Sequence, residues 1–434
     1  MGIAHPTIKA LSNQNFEDGL KMLNVKRLPF ISLLCLSIFP QSAFASGFKI
    51  ETQGSKATGM GTAFVAVADD PSAIAYNPAG LAQLEGTNIY LGTTAIIPTI
   101  KYEGPAGASD ETTYQVFYPP HLYIASKPAE RLSIGLGIFS PFGLETKWSK
   151  TGPVRYAATE SAIETVNINP TVAYRISPTL SIGAGIDYMK SKVVMENMVN
   201  QSLVGGSDGE LSCKANGDGW GYNAGLLYKP SKSLNLGIAY RSRIKVDYKG
   251  DATFSNIAPA LQPLFSGSTY KTDSSTGLDF PDVLNFGISY KPIEKLTIAL
   301  EAQRTGWSSY DKVDVDLKNE VPAAGFTGST TTKDWRDTWA YKTGIEYLLN
   351  ERVALRGGYM YDHTPEPEST FDPRVPDSDQ QDVSIGLGYK LDKLTIDAAY
   401  MAAFYKDRDV NNSILSGTYK GFAHFVGLSV GYRF

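Results

Sequence analysis

Cysteine and histidine are scarce, at two and four residues in a chain of 434. Cys35 falls in an apolar N-terminal stretch, preceded by Leu34 rather than by the small residue a lipoprotein cleavage site needs. Once that stretch is removed, Cys213 stands alone. This excludes an internal disulfide, and no Cys/His spacing of a metal site exists. The remaining histidines, His121, His363 and His424, belong to no Ser-His-acid or paired-carboxylate arrangement. Enzyme chemistry, a metal centre and a cofactor therefore find no support. A run of 18 apolar residues is also missing, so no transmembrane helix is available, and a mean hydropathy of −0.17 is too polar for a helical membrane protein. Basic charge does not prevail either. The 40 Lys and Arg face 44 Asp and Glu, which argues against a nucleic-acid partner.

What is present begins with an export signal. Lys26 and Arg27 form a basic region, Leu28 to Phe39 an apolar one too short to span, and Ala43-Phe44-Ala45 a cleavage site. Residues 1–45 read as a signal peptide and Ser46 as the mature N-terminus. The first 21 residues are polar, and Met22 is the better translation start. Cleavage removes four basic and two acidic residues and leaves a net charge near −6.

Short apolar-alternating segments run through the rest. Six times an aromatic strand end leads into a short polar turn and a new alternation: Tyr123 to Leu132, Tyr174 to Leu180, Tyr228 to Leu234, Tyr290 to Leu296, Tyr347 to Val353 and Tyr389 to Leu394. Proline presets φ in such turns and charge keeps them in water, while a preceding tyrosine suits the membrane interface. Within segments the period is two. Leu180, Ile182, Ala184, Ile186 and Tyr188 share one face, and Ser181, Gly183, Gly185 and Asp187 the other. Six hairpins give twelve strands, and one more at each end makes an even fourteen. The longest connections are expected over 197–218 and 250–277, on the rim opposite the tight turns. A soluble sandwich would also alternate, but it seldom repeats an aromatic at each strand end. The fold class is therefore an all-β membrane protein, a 14-stranded antiparallel transmembrane β-barrel over 88–434. Phe434, with Tyr432 two residues earlier, looks like a signal read by the barrel assembly machinery; an ordinary last strand is the plainer reading.

Residues 46–87 do not alternate. They are rich in Gly and Ala, and Asp70-Pro71 and Asn77-Pro78 each set a capping acceptor before a proline. Two short capped helical turns are expected. Phe48, Phe64, Val65, Val67, Ile74 and Leu81 make the segment too apolar to hang in water. A 14-strand bore is wider than its own side chains can fill. The segment reads as an N-terminal plug, or alternatively as a periplasmic tail.

The chain resembles the FadL family of outer-membrane transporters for long-chain fatty acids and other hydrophobic compounds, including its toluene- and xylene-uptake members. The resemblance rests on Ser46-Gly-Phe48, Ala68-Asp-Asp-Pro-Ser-Ala-Ile-Ala-Tyr-Asn-Pro-Ala79, Pro141-Phe-Gly-Leu-Glu-Thr-Lys-Trp148, Val166-Asn-Ile-Asn-Pro-Thr-Val-Ala-Tyr174 and Leu278-Asp-Phe-Pro-Asp282. It implies a hatch blocking the bore, a capture groove on two outer loops, a lumenal pocket near the mature N-terminus and lateral exit at a kinked third strand. On that footing Phe48, Asn77, Pro78 and Ala79 are candidates for hatch and pocket. Ile257, Leu261, Leu264 and Phe265, apolar at helical spacing in an outer loop, are candidates for the groove; loop–loop packing explains them equally well. Pro141, Phe142 and Gly143 are candidates for the gap, because Pro141 cannot donate a ladder bond. The start of a loop is the alternative there.

Alternation turns Asp187, Arg241, Glu301, Lys342, Glu346, Arg356 and Asp397 inward. Most such charges are wall ion pairs, but Lys342 or Arg356 could hold a substrate carboxylate. The expected function is passive uptake of hydrophobic small molecules, long-chain fatty acids or aromatic hydrocarbons, across a Gram-negative outer membrane. The protein would be a monomer among outer-membrane lipid and lipopolysaccharide. A general diffusion porin and a structural or adhesive barrel are the rival readings. N-terminal sequencing of the membrane-inserted protein is expected to read Ser-Gly-Phe from Ser46; a sequence beginning upstream of Ala45 would refute the cleavage assignment.

Overall fold

A strand bathed in hydrocarbon has no water to satisfy its backbone, so it must pair on both edges and the sheet must close. The computed structural model, which describes residues 47–321 and 326–434, adopts that solution. The export signal lies outside the described residues. Fourteen strands form the wall. They are β1 (Thr87–Glu103), β2 (Ser109–Glu111 with Pro120–Ala129), β3 (Leu132–Phe139 with Gly143–Lys147), β4 (Glu160–Ser177), β5 (Leu180–Val199), β6 (Gly209–Ser231) and β7 (Leu234–Arg241 with Ile244–Ser255). The second half comprises β8 (Thr269–Phe280 with Val283–Ile293), β9 (Leu296–Thr305 with Lys312–Val321), β10 (Phe326–Thr332 with Thr338–Leu348), β11 (Val353–Asp362), β12 (Gln380–Leu391), β13 (Leu394–Tyr405) and β14 (Gly417–Arg433). Sequence neighbours pair antiparallel throughout, and β14 closes on β1 from Asn88↔Arg433 to Glu103↔Thr418.

The six tight turns stand where the polar interruptions fall, with ladders running up to them, as at Ser177↔Leu180 and Leu391↔Leu394. The long excursions expected over 197–218 and 250–277 are mostly strand. Pairing continues out to Val199↔Gly209 and Ser255↔Thr269, leaving only 200–208 and 256–268 as loops. A continued ladder satisfies backbone groups that an irregular loop would have to match one by one. Outward residues such as Ile186, Leu300, Ile385 and Leu428 are more than half exposed. Apolar exposure on that scale around a whole wall requires lipid as its solvent.

The N-terminal segment lies in the bore. It contains α1 (Ser55–Gly59), α2 (Ala73–Tyr76) and a 3₁₀ turn (Pro78–Gln83). Asn77 caps the 3₁₀ turn, accepting the Ala79 N–H at 3.1 Å, with Pro78 in its first turn. Asp70 accepts the Ser72 N–H at 2.8 Å, as its position before Pro71 suggests. Helix α1 has no side-chain cap, which is why nothing in the sequence announced it. The segment meets walls far apart around the circumference. Ser55 bonds Ser429 of β14 at 2.7 Å, the Phe64 and Val65 N–H groups both donate to Glu301 of β9 at 2.9 Å, and Asn77 Nδ2 reaches the Leu226 carbonyl of β6 at 3.1 Å.

Pro78 and Asn77 press against the backbone of Gly183 and Gly225, where a Cβ atom would overlap them. Gly225→Val is therefore expected to cost about 1–3 kcal/mol through overpacking. It should lower the temperature at which the folded, fast-migrating gel form is lost. Gly277→Val, at a site with room for a side chain, serves as the control and should change little. Equal behaviour of the two would sink the docking argument.

Candidate functional site

The third strand breaks where its proline falls. Phe139 pairs with Asn167 and Gly143 with Glu164, so three residues of β3 oppose two of β4. That is a bulge, and Pro141 at its centre has no N–H to give. The other edge opens too. Pairing of β2 with β3 ends at Leu122↔Ile138, and the next backbone link among the described residues is Thr113 N–H to the Lys147 carbonyl at 2.8 Å. The N-terminal segment takes up the orphaned groups. Ile50 N–H donates to the Pro141 carbonyl at 2.9 Å, Gly143 N–H donates to the Phe48 carbonyl at 2.9 Å, and Gln53 Nε2 donates to the Ser140 carbonyl at 2.7 Å.

Phe48 anchors this contact. It is buried, with ring centroids of Trp307 at 4.7 Å, Tyr310 at 5.4 Å, Trp335 at 5.8 Å, Phe280 at 5.9 Å and Phe142 at 6.1 Å. Burying such a ring contributes about 2–3 kcal/mol, and edge-on aromatic pairs add about 0.5–1.5 kcal/mol each. Two stretches that carry the family resemblance, around Phe142 and Phe280, thus converge on the third.

Beside the break lies a cavity of about 510 Å³. Its apolar wall comprises Ile96, Pro98, Ile100, Met360, Met401 and Phe425. Both faces of β4 contribute, with Thr165 inward and Val166 outward, so the cavity passes through the wall between β2 and β4. A second apolar cavity of about 180 Å³ lies beyond it, lined by inner faces of β5, β7, β8 and β9; Leu144, Ile163 and Val375 belong to both. A third cavity, of about 310 Å³, opens on the tight-turn rim, where charged residues such as Lys56, Asp70, Arg356 and Asp397 line it. It shares no residue with the other two, and the N-terminal segment stands between.

The sequence candidates fare differently. Asn77, Pro78 and Ala79 line no part of the large cavity and serve as the docking anchor. The four groove candidates do not line the outer apolar cavity either. Ile257 is buried, and Phe265 packs edge-on against Tyr270 at 5.7 Å. A four-residue helix, Gln262–Phe265, is too short to present a face, and the strand extensions supply the apolar surface instead.

Lys342 and Arg356 do not reach the cavity. Lys342 pairs with Glu51 at 2.9 Å and Glu301 at 3.4 Å, and Arg356 with Glu346 and Asp397 at 2.7 Å each. Buried charges are tolerated only when paired this closely, which leaves neither cation for a substrate carboxylate. Burial pushes the Glu51 carboxyl up, but Lys342 and Lys49 outweigh it and hold it down at about 2. Glu51, Thr52, Gln380 and Asp382 on the cavity, and the tryptophans around Phe48, went unrecognised in the sequence. Only the inward register of β12 hinted at Asp382. Of the histidines, His121 bonds Ser429 inside the bore at 2.9 Å and His424 lies on the outer face with Tyr400 at 2.8 Å.

The outer loop 363–379 folds over the cavity. Arg408 holds it by the Asp377 and Glu366 carbonyls, both at 2.7 Å, and Thr364 Oγ1 donates to the Asp377 carboxyl at 2.7 Å. Burial pushes Asp377 up to about 7, despite Thr364, Arg408 and the Gly47 N–H. Between about pH 4 and pH 7 the packed loop holds a proton that the opened loop releases, so packing is strongest in acid and weakens as pH rises through that window. Hydrogen exchange of loop amides should accelerate across it beyond the intrinsic rate. Asp377→Asn should lessen the pH slope, with Glu366 and Asp379, also pushed up by burial, keeping a share of the same sign. An unchanged pH slope in that variant would contradict this account.

Comparison with known proteins places this architecture. A family model described as outer membrane protein transport protein (OMPP1/FadL/TodX) matches residues 36–434. The long-chain fatty acid transport protein of Escherichia coli O6:H1 is 25% identical over 409 residues, covering 85% of this chain and 89% of that protein. The crystal structure of a Pseudomonas aeruginosa FadL homologue superposes with a TM-score of 0.78 at 22% identity, over 90% of this chain and 100% of that one. The Pseudomonas putida toluene transporter TodX gives a TM-score of 0.71 at 19% identity, over 89% and 99%. With its closed fourteen-strand wall, its filled bore and its broken third strand, this outer-membrane chain belongs to the OMPP1/FadL/TodX family.

Proposed function

We propose that the protein is a passive channel through which hydrophobic small molecules enter the outer membrane sideways, with the N-terminal segment as its hatch. The observation that carries this reading is the substitute pairing at the third strand. Residues 48–53 take the hydrogen bonds that Ser140 to Gly143 cannot give to β2, so withdrawing one segment opens a cavity that already traverses the wall. Ligand caught in the outer apolar cavity passes Leu144, Ile163 and Val375 into the larger one, the hatch shifts, and release follows at Pro141, Phe142 and Gly143.

Energy favours this route. Each methylene taken out of water gains about 0.8 kcal/mol, so a long acyl chain gains on the order of 10 kcal/mol in an apolar cavity. Release into the periplasm would forfeit that gain, whereas release into lipid keeps it. The filled bore and the rim cavity cut off on the tight-turn side speak against a general diffusion porin. An adhesive barrel has no use for two connected apolar cavities. The names of the Escherichia coli and Pseudomonas putida proteins point to the same class of cargo. Phe434, with its N–H on the Thr87 carbonyl at 2.9 Å and its ring on Tyr432, is exposed at the rim for the assembly machinery. The protein works as a monomer in lipid and lipopolysaccharide.

Lys49 and Phe142 face each other in an antiparallel bridge, a separation a disulfide can span. In a Cys213→Ser background, Lys49→Cys with Phe142→Cys should fall to roughly background uptake of a labelled fatty acid or toluene when oxidised and recover on reduction. Equal uptake in both states would overturn the hatch mechanism.

A further inference from the structure

A buried ion pair at the outer mouth serves neither the strand ladder nor the lining of the large cavity. Lys333, in the break of β10, is 4% exposed, Asp372 of loop 363–379 is 1% exposed, and the two meet at 2.9 Å. Arg374 adds a second cation to Asp372 at 3.1 Å. Taking such charges out of water is costly, and breaking a buried pair costs more still, so the junction is held firmly shut. The loop also grips β10 on either side of Trp335. Thr370 Oγ1 donates to the Lys333 carbonyl at 2.5 Å, and the Arg336 N–H donates to the Pro365 carbonyl at 2.9 Å. Between these two grips the Trp335 ring packs on Phe48 and on Trp307. A Cβ atom on Gly47 would overlap both tryptophan rings, so the start of the N-terminal segment is seated directly against them.

The same loop holds the other side of that seat. Trp148 Nε1 donates to the Pro373 carbonyl at 3.0 Å and Thr146 Oγ1 to the Arg374 carbonyl at 3.2 Å, which ties the loop to β3 just beyond its break. Val375 packs in one apolar cluster with Phe48, Phe142 and Trp335. The loop also parts the two apolar cavities: Asp372 and Arg374 line the outer one, Pro376 the large one, and Val375 both. Cargo crossing between them has to push residues 372–376 aside. We infer that loop 363–379 is a latch on the N-terminal segment, fastened by Asp372 on Lys333, and that passage of cargo beneath Val375 unfastens it and frees Phe48. Lys333, Asp372 and Trp335 are thereby positioning residues of the hatch. This rests on the uptake reading above and adds its trigger.

The test is hydrogen exchange of the full processed chain in lipid nanodiscs, without cargo and at one fixed pH. It compares Val375, whose N–H donates to the Asp372 carbonyl at 3.0 Å, with Ile50 and Gly143, whose N–H groups join the N-terminal segment to β3. A latched segment opens only when the loop does, so Ile50 and Gly143 should be at least as protected as Val375 relative to their intrinsic rates. Lys333→Met should speed Val375 by about tenfold or more, as loss of a buried partner does, and speed Ile50 and Gly143 in step. Lys333→Arg keeps the cation and should stay close to the unsubstituted chain. Ile50 or Gly143 exchanging faster than Val375 in the unsubstituted protein overturns the proposal. So does a Lys333→Met chain in which Val375 speeds up without the other two, or in which none does. Lys333→Arg as fast as Lys333→Met shows that the cation fastens nothing, and overturns it as well. Should Lys333→Met fail to fold, the comparison within the unsubstituted protein still decides. Exchange needs no cargo, so the latch is decided even if labelled fatty acid and toluene are both refused, the result that would sink the uptake reading instead.

Discussion

A peptide group left unpaired in hydrocarbon costs several kcal/mol, and the whole wall is arranged around that cost. It forces every strand to pair on both edges and the sheet to close on itself through β1 and β14. It also gives the irregular stretch of β3 its meaning. Ser140 to Gly143 stands at a bulge with an open edge towards β2; the Ser140 and Pro141 carbonyls and the Gly143 N–H find partners in the N-terminal segment, while the backbone of Phe142 bonds Thr165 of β4. The bore segment is therefore part of the wall's hydrogen bonding as well as its filling. The bore segment and the break in β3 are two sides of one contact.

The interior obeys a related rule. A bore this wide must be filled or wetted, and the chain fills it with backbone as much as with side chains. Wall residues turned inward supply what that backbone lacks: Glu301 accepts two successive N–H groups, and Asn223 and Arg241 donate to the Ile74 carbonyl. Lys342 and Arg356 balance carboxylates on both sides and are thereby spent. Since buried charge is stable only in such company, the polar half of the bore is structural. The apolar half, near Phe48 and the broken strand, holds the large cavity.

Much of the wall was legible in the sequence because a strand between lipid and lumen must alternate, residue by residue. The six Tyr-led turns, the count of fourteen and the inward set from Asp187 to Asp397 follow from that single period. Pro141 marked the break by chemistry alone, since it has no N–H. Asn77-Pro78 marked a capped turn for the same kind of local reason. Less legible was where strands stop. The extensions to Val199 and Ser255 carry polar residues and glycine, so they read as loop although they remain paired. The loop around Ile257 to Phe265 misled in the opposite sense. Phe265 packs on strand residues such as Tyr270 while Leu264 stays exposed, and helical spacing without length presents no continuous surface.

Sequence by itself determined the membrane class, the strand period, the turn positions and the weak point in β3, because each depends on neighbours along the chain or on the uniform demand of lipid. Only the tertiary structure decided which groups share the bore. Phe48 meets Phe142, Phe280 and Trp307, and Thr52 comes to line one cavity with Asp382, across separations of tens to hundreds of residues. Alternation says that a side chain faces inward but not at what height or against which stave. Closure of the cylinder and the path of the segment inside it set those pairings, and with them the chemistry a ligand would meet.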